Sequence, residues 1–240
     1  MPLLPDIAEK LQHNLHCIQQ RLEQALRQAG RSGQPVLLVA VTKYVPEEVA
    51  AELVRLGCRH LGESRPQQLW RKAEALPGEV VWHQVGHLQR NKVRRTLRYA
   101  RWIHSGDRWP LLQTLQQEAQ AAGVRPKVLL QVNISGEEAK GGFRPEELPQ
   151  IVPRLEELPD LEICGLMGMS GLGASPEEKS RQFGLLRGLR NQLQPLCPPG
   201  VELRELSMGM SDDFPLAVAQ GATIVRIGSA LYEGLDLERS

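Results

Sequence analysis

Between residues 6 and 29 apolar side chains recur at three- and four-residue steps: Ile7, Leu11, Leu15, Ile18, Leu22, Ala25, Leu26 and Ala29. That spacing predicts one amphipathic helix with a single apolar stripe, and Gly30 stands where it should stop. The pattern then changes. Short apolar runs occupy 35–43, 58–64, 80–87, 101–107, 127–135, 162–170, 202–211 and 223–231, each with the length of a strand. Most intervals between them return to helical spacing, as with Leu53 and Leu56 in PEEVAAELVRLG, or Leu111, Leu112, Leu115 and Ala119 in WPLLQTLQQEAQAAG. Ser175-Pro176-Glu177-Glu178 reads as a capping box with proline at the first helical position. Gly123 and Gly221 stand where helices should end.

Strand runs alternating with helices predict parallel β/α units. Eight such runs are enough to close a (β/α)8 TIM barrel, and 240 residues suit a minimal one. A doubly wound open sheet is the alternative. No linker-like stretch and no repeat divides the chain, so a single domain over 1–240 is expected.

Composition narrows the function classes. A formal net charge of +1 gives no bulk field toward nucleic acid or acidic membrane. The basic clusters 92–95 and 187–190 read as solvated helix faces. Cys17, Cys58, Cys164 and Cys197 are widely spaced, with no C-x-x-C pair to suggest zinc or redox chemistry. Cys58 and Cys164 read as small core residues. The N-terminus lacks a signal-peptide pattern and no run has the length of a membrane span, so a cytoplasmic protein with reduced thiols is expected.

The unusual residues gather at the ends of the expected strands. They include Thr42-Lys43, Gly62-Glu63-Ser64, His83, His104-Ser105, Ser207-Met208-Gly209 and Arg226-Ile227-Gly228-Ser229. In parallel barrels the C-terminal rim is where loops converge on a ligand. Alternation puts Lys43 on one face with Val41, Val39 and Leu37, and Arg226 on one face with Ile224. If both faces point inward, neighbouring strands one and eight bring two cations to one lumen, which asks for an anionic ligand. Gly228-Ser229 should open a short helix whose N–H groups face an anion, and Ser207 and Gly209 add a hydroxyl and a close backbone approach. A phosphate on one side and a lysine on the other describe a pyridoxal phosphate (PLP) site. There the amine, desolvated and beside a cation, would form an imine with the aldehyde. Each residue also has a plain structural reading. Lys43 could snorkel from a strand end, Arg226 could pair with a distant carboxylate, and His83 could be a satisfied core histidine.

The runs VAVTK (39–43), GCRHLGE (57–63), WHQVGHLQRNK (82–92), IHSGD (103–107), LLQVNISGEEAKGGF (129–143), GLMGMS (165–170), LSMGMSDDF (206–214) and GATIVRIGSALYEG (221–234) resemble the PLP-binding homeostasis proteins, the YggS-like family. That family in turn resembles the barrel domain of alanine racemase. The resemblance implies a racemase-type (β/α)8 barrel with an extra N-terminal helix, holding PLP. By position Lys43 matches the Schiff-base lysine and Arg226 the residue facing the pyridine nitrogen. Ser207, Gly209, Gly228 and Ser229 match the phosphate loops, and His83 and Met208 match residues lining the cofactor cavity. Ser64 departs from the family, which has asparagine there. Tyr44 stands where smaller residues are common, and 171–175 follows the family loosely.

An arginine against the pyridine nitrogen disfavours a protonated ring, so the ring is a poor electron sink. A racemase also needs a second acid/base, which alanine racemase takes from a tyrosine of a separate C-terminal domain across a dimer. This sequence stops soon after the last expected strand. The expectation is therefore a monomeric PLP carrier that buffers or delivers the cofactor to apoenzymes, without substantial catalysis. The alternatives are a fold-type III enzyme such as an amino-acid racemase, with Tyr44 close to the lysine, and a phosphate-binding barrel enzyme without PLP.

Overall fold

The computed structural model describes residues 5–76, 78–137 and 141–235. Its eight parallel strands close into a barrel in chain order. They are β1 (Leu37–Val41), β2 (His60–Glu63), β3 (Val81–Gln84), β4 (Ala100–Gly106), β5 (Lys127–Val132), β6 (Glu162–Gly168), β7 (Glu205–Ser207) and β8 (Ile224–Ile227). Pairing of β8 with β1, Val39 opposite Arg226, completes the ring. The (β/α)8 expectation holds, and the open-sheet alternative does not.

The N-terminal helix α1 (Pro5–Gln28) buries Ile7, Leu11, Leu15, Ile18 and Ala25, as its spacing predicts. Gly30 follows it with φ +66°. The Asn14 amide donates to the carbonyls of Leu231 and Glu233, both at 3.0 Å, tying α1 to the chain after β8. The helices α2 (Glu47–Arg55), α3 (Pro66–Ala75), α4 (Val93–Thr96), α5 (Trp109–Ala122), α6 (Leu148–Ile151), α7 (Pro176–Leu193) and α8 (Phe214–Ala219) fill the crossovers, with 3-10 turns at 90–92, 145–147, 152–157, 194–196 and 229–232. Ser175 caps α7, its hydroxyl accepting from the Glu178 amide.

Side-chain alternation separates two cores. Ala40, Leu61, Trp82, Ile103, Val128, Leu130, Leu166, Leu206, Val225 and Ile227 face outward into the large helix-packed core. Val39, Trp102, Leu129, Cys164, Met167 and Ile224 form a smaller cluster inside the barrel. Cys164 is buried there, and burial pushes its thiol up to about 12. Cys58 packs against the outer core, its thiol pushed up to about 11. Among the described residues no helix is long and apolar enough to cross a membrane.

Most strands are shorter than their apolar runs. β1 ends at Val41 because the chain turns, the Val45 amide donating to the Thr42 carbonyl at 3.1 Å. β7 holds only Glu205–Ser207, after which the backbone pairs irregularly, Met208 N–H to Ile224 and Arg226 N–H to Gly209. Residues 138–140 of the run LLQVNISGEEAKGGF lie outside the described residues.

Candidate functional site

A cavity of about 520 Å³ opens at the C-terminal rim, lined by Lys43, Tyr44, Ser64, His87, Asp107, Ser211, Arg226, Gly228 and Ser229 among others. Its floor is Arg226. Strand parity puts Arg226 inward two residues after Ile224, and it is 5% exposed. Its Nη1 donates to Ser207 Oγ at 2.6 Å and its Nη2 to the Gly168 carbonyl at 3.1 Å. Burial pulls the guanidinium down to about 10, against the opposing pull of Asp213. Asp213 itself accepts from Ser170 Oγ at 2.6 Å and from the Met210 amide at 2.7 Å.

Lys43 reaches the same cavity from the other side, but it is exposed and not desolvated as expected. The reason is the early end of β1, which leaves Lys43 in the turn rather than on the inward face. Its Nζ lies 4.6 Å from the centre of the Tyr44 ring, a cation–π distance. The backbone beneath is tightly held. Buried Lys72 donates to the Thr42 carbonyl and to Glu63 Oε1, both at 2.6 Å. Thr42 Oγ1 donates to the same carboxylate oxygen at 2.6 Å. The Tyr232 hydroxyl donates to the Val41 carbonyl at 3.1 Å.

Gly228 and Ser229 form the cavity wall at the start of the expected short helical turn. The amides of Gly228 and Ala230 both converge on Ser211 Oγ at 3.2 Å. Ser64 lines the cavity, and its carbonyl accepts from Gln84 Nε2. Gly86 packs so closely on it that a Cβ there would lie 2.4 Å from the Ser64 carbonyl oxygen.

Four expected site residues, His83, Ser207, Met208 and Gly209, do not line the cavity. His83 and Ser207 are fully buried beneath it, in a hydrogen-bonded chain that ends at Arg226. Met208 follows inward-facing Ser207, so it takes the opposite parity and packs into the outer core. Gly209 has φ +91°, and a Cβ on it would lie 2.6 Å from the Ala217 Cβ. It shapes the turn into α8, and its carbonyl accepts from the Arg226 amide at 3.0 Å.

Several site residues carry no distinctive chemical pattern in the sequence. His87 Nδ1 lies 3.0 Å from Asp107 Oδ2, and Arg108 Nη1 lies 2.5 Å from Asp107 Oδ1. Their signal was position alone, at the ends of strands three and four. Ser211 sits in the SMGMSDD run, but nothing in the spacing indicates that its hydroxyl gathers two amides. Lys72 left a clearer trace, as a lysine three residues after Leu69 on the buried face of α3.

A family model described as alanine racemase, N-terminal domain, matches residues 8–236. The class is therefore that of the racemase-type barrels, in agreement with the closed eight-stranded ring. Within it, the chain belongs to the family of pyridoxal phosphate homeostasis proteins. The relative of that name from Aquifex aeolicus is 40% identical over 214 residues, 89% of this chain and 93% of that protein. PipY of Synechococcus elongatus, solved without PLP, superimposes with a TM-score of 0.83 at 36% identity, covering 94% of this chain and 99% of PipY. PipY with PLP bound gives a TM-score of 0.76 at 37% identity over 88% and 99% of the two chains.

Proposed function

We propose that this chain binds PLP in the rim cavity, with Lys43 bonding the aldehyde carbon as a Schiff base, and acts in PLP homeostasis as a buffer and donor of the cofactor. The observation that carries the reading is the placement of Lys43 and Arg226 in one cavity with the Gly228–Ser229 turn at its wall. The residues fit the group. Two amides converging on one oxygen, here Ser211 Oγ, form the donor arrangement that a phosphate oxygen accepts. Gly228 and Ser229 are the proposed phosphate-side residues; Ser207 and Gly209, expected on that side, act instead from below through Arg226. Ser64 flanks the cofactor and His83 supports it indirectly. Met208 contributes only through the outer core.

When bound, PLP supplies a reactive aldehyde and a ring that can withdraw electrons. The chain's residues limit the second property. Arg226 donates hydrogen bonds and accepts none, so a ring nitrogen set against it would stay unprotonated. Its guanidinium is fixed by two hydrogen bonds and cannot turn away freely. Lys43, exposed at the mouth, is reachable by an incoming aldehyde or by a competing amine. These features favour holding and release over catalysis. The chain is proposed to act as a monomer in the cytoplasm, with its PLP passing to apoenzymes.

A second reading, weak racemase-like activity, draws on one observation. The His87–Asp107 pair lines the same cavity and could exchange a proton with a bound amino acid.

One experiment tests both readings. The purified protein is titrated with PLP, and its near-visible spectrum is recorded beside Lys43→Ala and Arg226→Ala, before and after borohydride. A Schiff-base band in wild type, fixed by reduction at Lys43 and absent in Lys43→Ala, is expected. Arg226→Ala should loosen PLP or alter its spectrum. An unchanged band in Lys43→Ala would refute the assignment. Racemisation of alanine well above a free-PLP blank, lost in His87→Gln, would move the enzyme reading to the front.

A further inference from the structure

Beneath the cavity four hydrogen bonds join five side chains in a line across the barrel. Arg226 Nη1 donates to Ser207 Oγ at 2.6 Å. Ser207 Oγ lies 2.9 Å from His104 Nδ1, His104 Nε2 lies 2.9 Å from His83 Nδ1, and His83 Nε2 lies 2.9 Å from His60 Nδ1. Ser207, His104 and His83 are fully buried, while His60, the first residue of β2, is half-buried at the opposite end of the barrel from the cavity. We propose that these residues form one directed hydrogen-bond wire that positions Arg226, and that His60 is its proton-accessible end, linking protonation at the base of the barrel to the cofactor site. The effect on the cofactor rests on the PLP reading above; the wire itself does not.

The direction follows from charge. Arg226 can only donate, so Ser207 Oγ must accept from it. The serine proton is then best used toward His104 Nδ1. His104 thereby carries its proton on Nε2 and donates to His83 Nδ1. His83 likewise donates through Nε2 to His60 Nδ1, leaving the His60 Nε2–H toward the base. Every dipole in this arrangement turns its negative end toward the Arg226 cation. The reversed arrangement points every N–H at that cation and leaves Ser207 accepting twice. A buried chain of mutually polarising hydrogen bonds favours the first strongly. All three histidines are held neutral. Burial lowers His60, and burial with neighbouring charge lowers His83 and His104 well below the usual imidazole range.

Protonating His60 requires its Nδ1 to become a donor. His83 must then accept at Nε2, His104 must accept at Nε2 and donate at Nδ1, and Ser207 must turn its own proton elsewhere. One proton taken up at the base therefore reverses the wire and changes what Arg226 bonds to. The surroundings of His60 leave Arg226 as the charge in line with it. β1 contributes Leu37 and Val39 to the lumen, and Trp102 of β4 stacks on His83 with centroids 5.4 Å apart. The charges that reach this end among the described residues have their own partners: Lys127 with Glu162, Glu205 with the Thr223 hydroxyl, Arg204 with Glu202, and Arg59 with Glu79. The Cys58 and Cys164 thiols are pushed up by burial and stay neutral.

The test begins without PLP. Histidine-15N-labelled protein is followed by long-range 1H–15N correlation from pH 8 to pH 5.5. His60, His83 and His104 should each carry a single proton on Nε2 at the upper end. Nδ1–H tautomers at His83 or His104 would overturn the wire. His60→Leu removes the acceptor for His83, whereas His60→Gln restores one through its amide oxygen. With PLP added, His60→Leu should weaken affinity on the order of fivefold, a typical coupling between sites, and flatten its pH dependence below about pH 6.5, since burial lowers His60. His60→Gln should recover the affinity. Expected tautomers with identical PLP affinity and pH profile in all three proteins would overturn the control of Arg226. Failure of every variant and the wild type to bind PLP would sink the functional reading, and the tautomers alone would then decide the wire.

Discussion

Replacing Lys72 with methionine should destabilise the protein by several kcal/mol and loosen the turn that carries Lys43. Lys72 and Glu63 are 1% and 0% exposed, and their 2.6 Å ion pair is among the most deeply buried charges described. Lys72 also donates to the Thr42 carbonyl, directly before Lys43. Glu63 Oε2 is buried with no hydrogen-bond partner among the described residues, so Oε1 alone collects the stabilising contacts. Methionine matches the length of lysine, so little cavity cost is added. What remains is a buried carboxylate facing one hydroxyl. Removing one member of such a pair costs about 3–5 kcal/mol. That is a large part of a typical total of about 5–15 kcal/mol. Urea unfolding should show it as a midpoint lowered by about 1–2 M at m near 3 kcal/mol/M. Glu63→Gln alone should also be costly, because it strands the ammonium. The double variant Lys72→Met/Glu63→Gln should recover much of the loss, with a coupling of about 2 kcal/mol. Faster hydrogen exchange at the Val45 amide, which closes the turn onto Thr42, would report the local effect. A loss below about 1 kcal/mol in Lys72→Met, or strictly additive single variants, would refute the strut.

Further outcomes concern pH, the β7–α8 turn and Ser64. His83 and His104 are lowered in the folded state, so the unfolded chain binds their protons first on acidification. Their stabilisation is complete above the unfolded value of about 6.5 and is lost as pH falls below it, at up to about 2.7 kcal/mol per pH unit for the two together. Urea midpoints between pH 7.5 and pH 5 test this, and a flat profile would show that both histidines take up protons without cost. Gly209→Ala should destabilise by about 1–3 kcal/mol, because φ +91° is strained for alanine and its Cβ would press on Ala217 and the Phe214 Cα. An unchanged thermal midpoint would refute that. Ser64→Asn should leave PLP affinity unchanged or raised, since the position lines the cavity. A clear loss of affinity would mean that an asparagine does not fit there.

Much of the fold is legible in the sequence because a parallel barrel writes its period into the chain. The helix spacing of 7–26 and the eight apolar runs are direct consequences of which faces are buried. Arg226 is legible for the same reason. A charged residue two places after Ile224 must share its face, and that face is the lumen. The phase of a strand is readable wherever the strand continues.

Where it does not continue, parity fails, and the misplacements at the site follow from that. Lys43 falls on the inward face only if β1 runs to residue 43; the turn at Thr42 releases it to the surface. Met208 looks like a cavity residue in the SMGMSDD run, but it is the outward neighbour of an inward serine at the last residue of a three-residue strand. Partnerships are less legible still. His104 meets Ser207 across 103 residues and Lys72 meets Thr42 across 30, because barrel register and a helix face bring them together. A sequence read strand by strand sees His83 as a satisfied core histidine and His104 as a polar residue at a strand end, with nothing to join either to His60. Register turns them into one object, since each imidazole can settle its proton only by fixing the proton of the next. The polar residues inside this barrel are therefore best understood from Arg226 downward, with its charge setting the orientation of everything hydrogen-bonded beneath it.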